Sequence, residues 1–111
     1  MLRYYNDISE ERMEEKKEQF HKDHRSRLRK RYEENGLDSF EDHNVLELLL
    51  FYAIPRLDTN PAAHRLISKF GSLSGVFSAS VEELQTVEGI GKSSAEYLAL
   101  VRETGRRCML D

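Results

Sequence analysis

With 111 residues and a net charge of −3, the chain is long enough for one domain with a modest hydrophobic core, and it is not a protein that coats nucleic acid by bulk electrostatics. Its apolar runs are too short to cross a bilayer and no secretory signal opens the sequence, so the expected location is the cytoplasm. The single cysteine, Cys108, excludes an internal disulfide and a cysteine zinc site, and we expect no metal or other cofactor.

The first 20 residues are predicted to form a charged arm, separate from a domain at residues 21–111. The arm carries four basic and six acidic side chains and few apolar ones, so it has little to bury. Because burial does not offset the entropy lost on ordering, we expect a solvated helix or a partly disordered segment.

The next segment is the locally basic part of the chain, and its pattern predicts a helix from about Asp23 to Glu34, ended by Asn35 and Gly36. A narrow apolar stripe runs along it at four-residue steps, formed by Phe20, His24, Leu28 and Tyr32. Five basic side chains form a candidate patch for DNA phosphates, namely Arg25, Arg27, Arg29, Lys30 and Arg31. A solvated face paired with nearby glutamates is the ordinary alternative.

A third helix is predicted from His43 to about Ala53, capped by Asp42 and stopped by Pro55. Apolar residues cover nearly all of its faces, which is typical of a helix at the centre of a bundle. We therefore expect Leu49 to be among the most buried positions of the molecule.

The segments that follow are also predicted to be helical. Asn60 is expected to cap a helix that Gly71 ends, and a short helix comes after it. Ser80 caps another, and the last helix is expected to run from about Lys92 to Gly105. No stretch alternates apolar and polar residues as a strand would, so the predicted fold is all-α.

An apolar-Gly-apolar-Gly turn between two short amphipathic segments is the most informative pattern. Gly89 and Gly91 can take positive φ and carry no Cβ, so the amides that start the next helix can approach a phosphate. The residues predicted to pack behind the turn are Leu84, Val87, Ile90, Ala95 and Leu98. This layout is typical of a helix-hairpin-helix, which contacts the sugar-phosphate backbone rather than bases. The predicted phosphate-binding residues are Gly89, Ile90, Gly91, Lys92, Ser93 and Ser94.

The segment from Leu49 to Phe70 repeats the order helix, turn, helix, with a longer turn that lacks glycine. We interpret it as a degenerate first hairpin packed against the intact second one, because two hairpins bury a shared core that one could not. Polar side chains are expected to brace its turn, namely Arg56, Asp58, Thr59 and Asn60.

The same residues also have purely structural interpretations. Both glycines are needed for the turn whether or not DNA binds, and capping is the commoner role of Ser93 and Ser94. Lys92 favours an anion site at the helix start, whereas Glu88 opposes one. No Ser-His-Asp or Cys-His arrangement has supporting context, so we do not expect an enzyme.

Several motifs, in order, resemble the N-terminal region of bacterial RadC-family proteins, the UPF0758 group, over about residues 21–107. They are HRSRLR at 24–29, GLDSF at 36–40, LELLLFYAIPR at 46–56, DTNPAAH at 58–64, FGSL at 70–73 and the glycine turn. The resemblance implies a compact helical bundle of the SAM-like, RuvA domain 2-like type with tandem hairpins, associated with nucleic acid and linked to DNA repair.

In that family the region precedes a C-terminal JAB/MPN-type domain with a metalloprotease-like zinc motif, which this sequence lacks. The chain is therefore expected to be either a fragment or a solitary hairpin domain. Two functions stay open. The chain is either a non-catalytic, sequence-independent DNA-binding module, or a protein-interaction or scaffolding domain that positions or regulates an absent JAB-type domain.

Overall fold

The computed structural model describes residues 2–55 and 58–111, with side chains described from residue 9 onward. Its elements in chain order are α1 (Leu2–Asn35), α2 (Asp42–Ala53), α3 (Asn60–Phe70), α4 (Leu73–Ser78), α5 (Val81–Leu84) and α6 (Lys92–Leu110). These ranges contain no strand, so the all-α prediction is confirmed. The helices of the described residues are too short or too polar to cross a lipid bilayer.

The centre of the bundle is α2, which packs against α3, α4 and α6 as well as α1. Leu46 and Leu50 are fully buried in the main core, to which α3 and the elements after it also contribute. A smaller cluster joins Leu28 of α1 to Leu48 and Phe51 on another face of α2. Because two faces of α2 are buried, apolar residues surround most of this helix.

The prediction for Leu49 is wrong. Leu49 is partly buried at the edge of the main core, whereas Leu46 and Leu50 are fully buried. With 3.6 residues per turn, the two buried faces leave a third face that carries Val45, Leu49 and Tyr52. These three side chains line a shallow groove instead.

The start of α2 also differs from the prediction. The N-cap is Glu41, whose backbone N–H donates to Asn44 Oδ1 at 3.3 Å, and the helix begins at Asp42. Asp42 Oδ2 instead accepts the backbone N–H of Leu73 at 3.3 Å. The predicted cap of α2 therefore ties α2 to the first residue of α4.

The turn of the first hairpin is held by its own side chains. The N-cap of α3 is Thr59 rather than Asn60, and the Thr59 hydroxyl donates to the Glu47 carbonyl at 3.1 Å. Asp58 Oδ1 accepts the backbone N–H of Asn60 at 3.0 Å. Asp58, Thr59 and Asn60 therefore brace the turn as predicted, and Arg56 lies outside the described residues.

The arm and the basic helix form one element, because α1 is unbroken over its 34 residues. Side chains 9–20 are all exposed, so this part of α1 projects from a molecule that measures 65 × 35 × 22 Å. The predicted apolar stripe is short: Leu28 is buried, whereas Phe20 and Tyr32 are 61% and 47% exposed. The domain boundary near residue 20 and partial disorder of the arm stay predictions.

The last helix is longer than predicted. It continues past Gly105 to Leu110 because Gly105 does not take the left-handed conformation that ends α3 at Gly71, where φ is +87°. From residue 103 onward its side chains are exposed. The first half of α6, which carries Ala95 and Leu98, holds this helix in the core.

Candidate nucleic-acid interface

The second hairpin consists of α5, a turn over residues 85–91 and α6. Ser80 Oγ accepts the backbone N–H of Glu83 at 3.1 Å, and Glu83 Oε1 accepts the backbone N–H of Ser80 at 3.1 Å. Two backbone hydrogen bonds hold the turn. The Val87 N–H donates to the Leu84 carbonyl at 3.1 Å, and the Ile90 N–H donates to the Val87 carbonyl at 3.0 Å. The hairpin is therefore fixed at its start and within its turn.

The predicted core behind the turn is confirmed. All five residues are buried and belong to the main core, and they are Leu84, Val87, Ile90, Ala95 and Leu98. They share that core with α2 and α3 of the first hairpin. The two hairpins therefore bury one another, which is the arrangement predicted for a tandem pair.

The two glycines of the turn have different roles. Gly89 has a φ of +93°, which favours glycine, and a Cβ there would come into close contact with Ala62 Cβ at 3.4 Å. Gly91 is the N-cap of α6 and has extended backbone, with φ −87° and ψ −175°. Apart from Gly91 and its two chain neighbours, no described residue has an atom within 4 Å of the place where a Gly91 Cβ would lie. Of the two glycines, Gly89 takes the positive φ that glycine permits and Gly91 does not, because an N-cap takes β-region dihedrals.

The start of α6 presents backbone amides at the surface. The first backbone bond of the helix joins the Ala95 N–H to the Gly91 carbonyl at 3.0 Å, and the N–H groups of Lys92, Ser93 and Ser94 precede it. Gly91, Lys92 and Ser93 are exposed. The leading amides and the helix dipole both favour negative charge at a helix start of this kind.

The structure divides the six predicted phosphate-binding residues into two groups. Gly89, Gly91, Lys92 and Ser93 are exposed, whereas Ile90 and Ser94 are 4% and 6% exposed. The Ile90 amide already donates within the turn, and burial withdraws the Ser94 hydroxyl from any large ligand. The Lys92 side chain is 78% exposed, with Nζ 3.9 Å from Glu96 Oε1.

Two basic side chains of α3 that the sequence analysis did not select lie beside the turn. Arg65 Nη1 donates to the Glu88 carbonyl at 3.4 Å, and Nη2 lies 4.0 Å from Glu88 Oε2. Lys69 Nζ donates to Thr86 Oγ1. Arg65 and Lys69 are four residues apart and share a face of α3. That spacing is visible in the sequence, but only the packing of the two hairpins places this face against the turn.

Much of the predicted basic patch contacts the protein itself. Arg25 donates to the Ile54 carbonyl at 2.8 Å and lies 4.9 Å from the centre of the Phe51 ring. Arg29 lies 5.6 Å from the centre of the same ring. Burial, together with the charge of Arg29, lowers the pKa of Arg25 from its ordinary value. These two residues therefore dock α1 on α2.

The remaining residues of the patch lie on the other side of α1, because Arg27 is three residues before Lys30 and four before Arg31. Arg31 donates to the Ser39 carbonyl at 3.0 Å, and Lys30 Nζ lies 4.0 Å from Glu34 Oε1. Arg27 is exposed. The five side chains do not form one continuous surface, and a role of this patch in phosphate binding stays a prediction.

A buried polar cluster on α2 was not predicted from the sequence. Glu47 is fully buried, with Oε1 2.6 Å from His24 Nε2 and Oε2 accepting from Asn60 Nδ2 at 3.3 Å. A charged residue within an otherwise apolar helix was the available signal. Side chains 9–55 and 58–111 contain no group of three or more His, Cys, Asp or Glu that could hold a metal ion.

Comparison with known proteins identifies a motif and a group of relatives. The helix-hairpin-helix motif matches residues 72–98, from the residue before α4 into α6. A UPF0758 protein of Fusobacterium nucleatum is 49% identical over 80 residues, which are 72% of this chain and 34% of that protein. A UPF0758 protein of Ruegeria pomeroyi is 38% identical over 78% of this chain and 38% of its own length. One of Rhodobacter capsulatus is also 38% identical, over 72% of this chain and 37% of its own length. The chain thus spans little more than a third of these relatives, and no solved structure matches it.

Proposed function

Because the chain belongs to the UPF0758 family and carries a helix-hairpin-helix motif, we propose that it is a non-catalytic module that binds the DNA backbone without sequence preference. The observation that supports this function is the exposed start of α6, where the backbone N–H groups of Lys92 and Ser93 precede the first helical hydrogen bond and follow the extended N-cap Gly91. Such amides stabilise a phosphate through hydrogen bonds and the helix dipole.

Binding at this position is independent of sequence because a phosphate is the same beside every base. The proposed residues are Gly89, Gly91, Lys92 and Ser93, with the backbone amide of Ser94. Glu88 and Glu96 lie close to the same turn, and the whole chain has a net charge of −3. We therefore expect modest affinity that falls steeply as salt rises. The proposal includes the cytoplasmic location and the part in DNA repair that the RadC resemblance implies.

A second candidate function is a protein-interaction or scaffolding domain that positions or regulates a JAB-type domain. The observation in its favour is that Arg25, Arg29 and Arg31 contact the protein itself, which leaves little of the basic patch for DNA. In this case the hairpins only pack against each other, and the amides of α6 are bound to water.

Fluorescence anisotropy with labelled duplex, single-stranded and branched DNA at two salt concentrations tests the proposal. We expect Lys92→Glu to weaken binding strongly without lowering stability, because a carboxylate suits the N-terminal end of a helix. Arg27→Glu is the matched control, since it changes the net charge equally at an exposed position of α1. If the parent shows no salt-sensitive binding even at low ionic strength, the scaffolding function is favoured. If Arg27→Glu loses binding while Lys92→Glu keeps it, α1 is the contact surface.

A further inference from the structure

Arg65 of α3 reaches across to the turn of the second hairpin, where Glu88 holds it. Its guanidinium contacts both the carbonyl and the carboxylate of Glu88, at 3.4 and 4.0 Å. Both side chains stay open to solvent, at 47% and 85% exposure. We propose that Arg65 is a second phosphate ligand of the hairpin and that Glu88 competes with the phosphate for it. This inference rests on the proposed function.

The position of Arg65 fits this role. Arg65 Nη1 lies 3.9 Å from a Cβ built at Gly89, so its guanidinium lies against the backbone of the turn. Gly89 is two residues before Gly91, a separation of at most about 7 Å along the chain. A DNA strand with one phosphate at the start of α6 can therefore present a neighbouring phosphate to Arg65.

The chemistry of the pair also favours exchange. A guanidinium binds a phosphate through two parallel N–H donors, which is a stronger arrangement than the long and exposed contact with Glu88. Exposed ion pairs contribute little to stability, so the carboxylate is readily displaced. Glu88 therefore lowers the affinity for DNA, while it keeps Arg65 beside the turn in the absence of DNA.

The test is a double-mutant cycle on the full chain, with anisotropy of a labelled duplex at low salt. We expect Arg65→Gln to weaken binding on the order of tenfold, as for the loss of one charge-assisted hydrogen bond to phosphate. Glu88→Gln is expected to tighten binding, and this gain is expected to vanish when Arg65 is also glutamine. The matched controls are Arg106→Gln and Glu33→Gln, which make the same charge changes at exposed positions away from the turn.

The outcomes separate this inference from the proposed function. If the parent binds duplex with salt sensitivity and Arg65→Gln binds equally well, the inference is overturned and the proposed function stands. If the gain from Glu88→Gln persists without Arg65, Glu88 acts through its charge alone and the competition is disproved. If Arg65→Gln lowers the melting temperature together with the affinity, the contact of Arg65 with Glu88 stabilises the fold and is not a ligand site. If the parent does not bind DNA at all, the proposed function fails first.

Discussion

His24 Nε2 and Glu47 Oε1 lie 2.6 Å apart across the interface between α1 and α2. The Glu47 side chain is fully buried, and that of His24 is 36% exposed. The other carboxylate oxygen of Glu47 accepts from Asn60 of α3, and its backbone carbonyl accepts from Thr59. Glu47 therefore links α1, α2 and the turn of the first hairpin, and both oxygens of its buried carboxylate have a partner.

We expect His24→Ala to lower the free energy of unfolding by about 1–3 kcal/mol, because it leaves the buried carboxylate of Glu47 short of a hydrogen bond. His21→Ala is the matched control one turn away, where His21 Nδ1 lies 3.9 Å from the partly exposed carboxylate of Asp58. Its cost is expected to stay below about 1 kcal/mol. Urea denaturation measures the free energy of unfolding of both variants. Equal losses would show that the buried contact between His24 and Glu47 stabilises the fold no more than the exposed one.

The two glycines of the hairpin turn give a second matched pair. Gly89→Ser is expected to cost about 1–2 kcal/mol or more, because a side chain there needs positive φ and also approaches Ala62. Gly91→Ser is expected to be neutral or stabilising, because serine is a favourable N-cap residue with the extended backbone found there. Thermal melting of the two variants checks the contrast. If Gly91→Ser lowers the melting temperature as much as Gly89→Ser does, the backbone geometry described for the two glycines is contradicted.

A third prediction concerns the packing of α2. Leu50→Ala is expected to cost about 2–5 kcal/mol, because Leu50 is fully buried in the main core. Leu49→Ala removes the same atoms from a partly exposed position and is expected to cost roughly half as much or less. Chemical denaturation of both variants measures the two losses in free energy of unfolding. A larger loss for Leu49→Ala than for Leu50→Ala would show that the face of α2 in the main core has been misassigned.

The capping box of α5 makes part of the stability depend on pH. Hydrogen bonds from the Ser80 backbone and hydroxyl lower the pKa of Glu83 below its ordinary value of 4.5. The carboxylate of Glu83 is therefore protonated more readily in the unfolded chain than in the folded one. Its contribution to folding stability is complete above pH 4.5 and is lost as pH falls through the lower pKa of the folded state. Glu83→Gln is expected to flatten the acid side of the stability curve. An unchanged slope between pH 5 and pH 3 would count against this coupling.

The sequence predicted best what depends on local spacing. The five residues behind the hairpin turn were identified because glycine positions and helical periodicity within 15 residues place them on one side. The extended backbone of Gly91 was not predicted because it depends on which residue caps α6. The partial exposure of Leu49 and the burial of Glu47 were not predicted because both depend on how distant helices pack. Arg65 was missed for the same reason, since its relation to Glu88 spans 23 residues of sequence.

The most direct measurement is an NMR titration of the ¹⁵N-labelled chain with a short DNA duplex at low salt. We predict that the largest shifts occur at the backbone amides of Lys92 and Ser93, that they weaken as salt is added, and that they are much smaller at Arg27 and Arg29. Shifts confined to α1 around Arg27 and Arg29, with the amides of Lys92 and Ser93 unchanged, would contradict the assignment of the hairpin as the DNA contact.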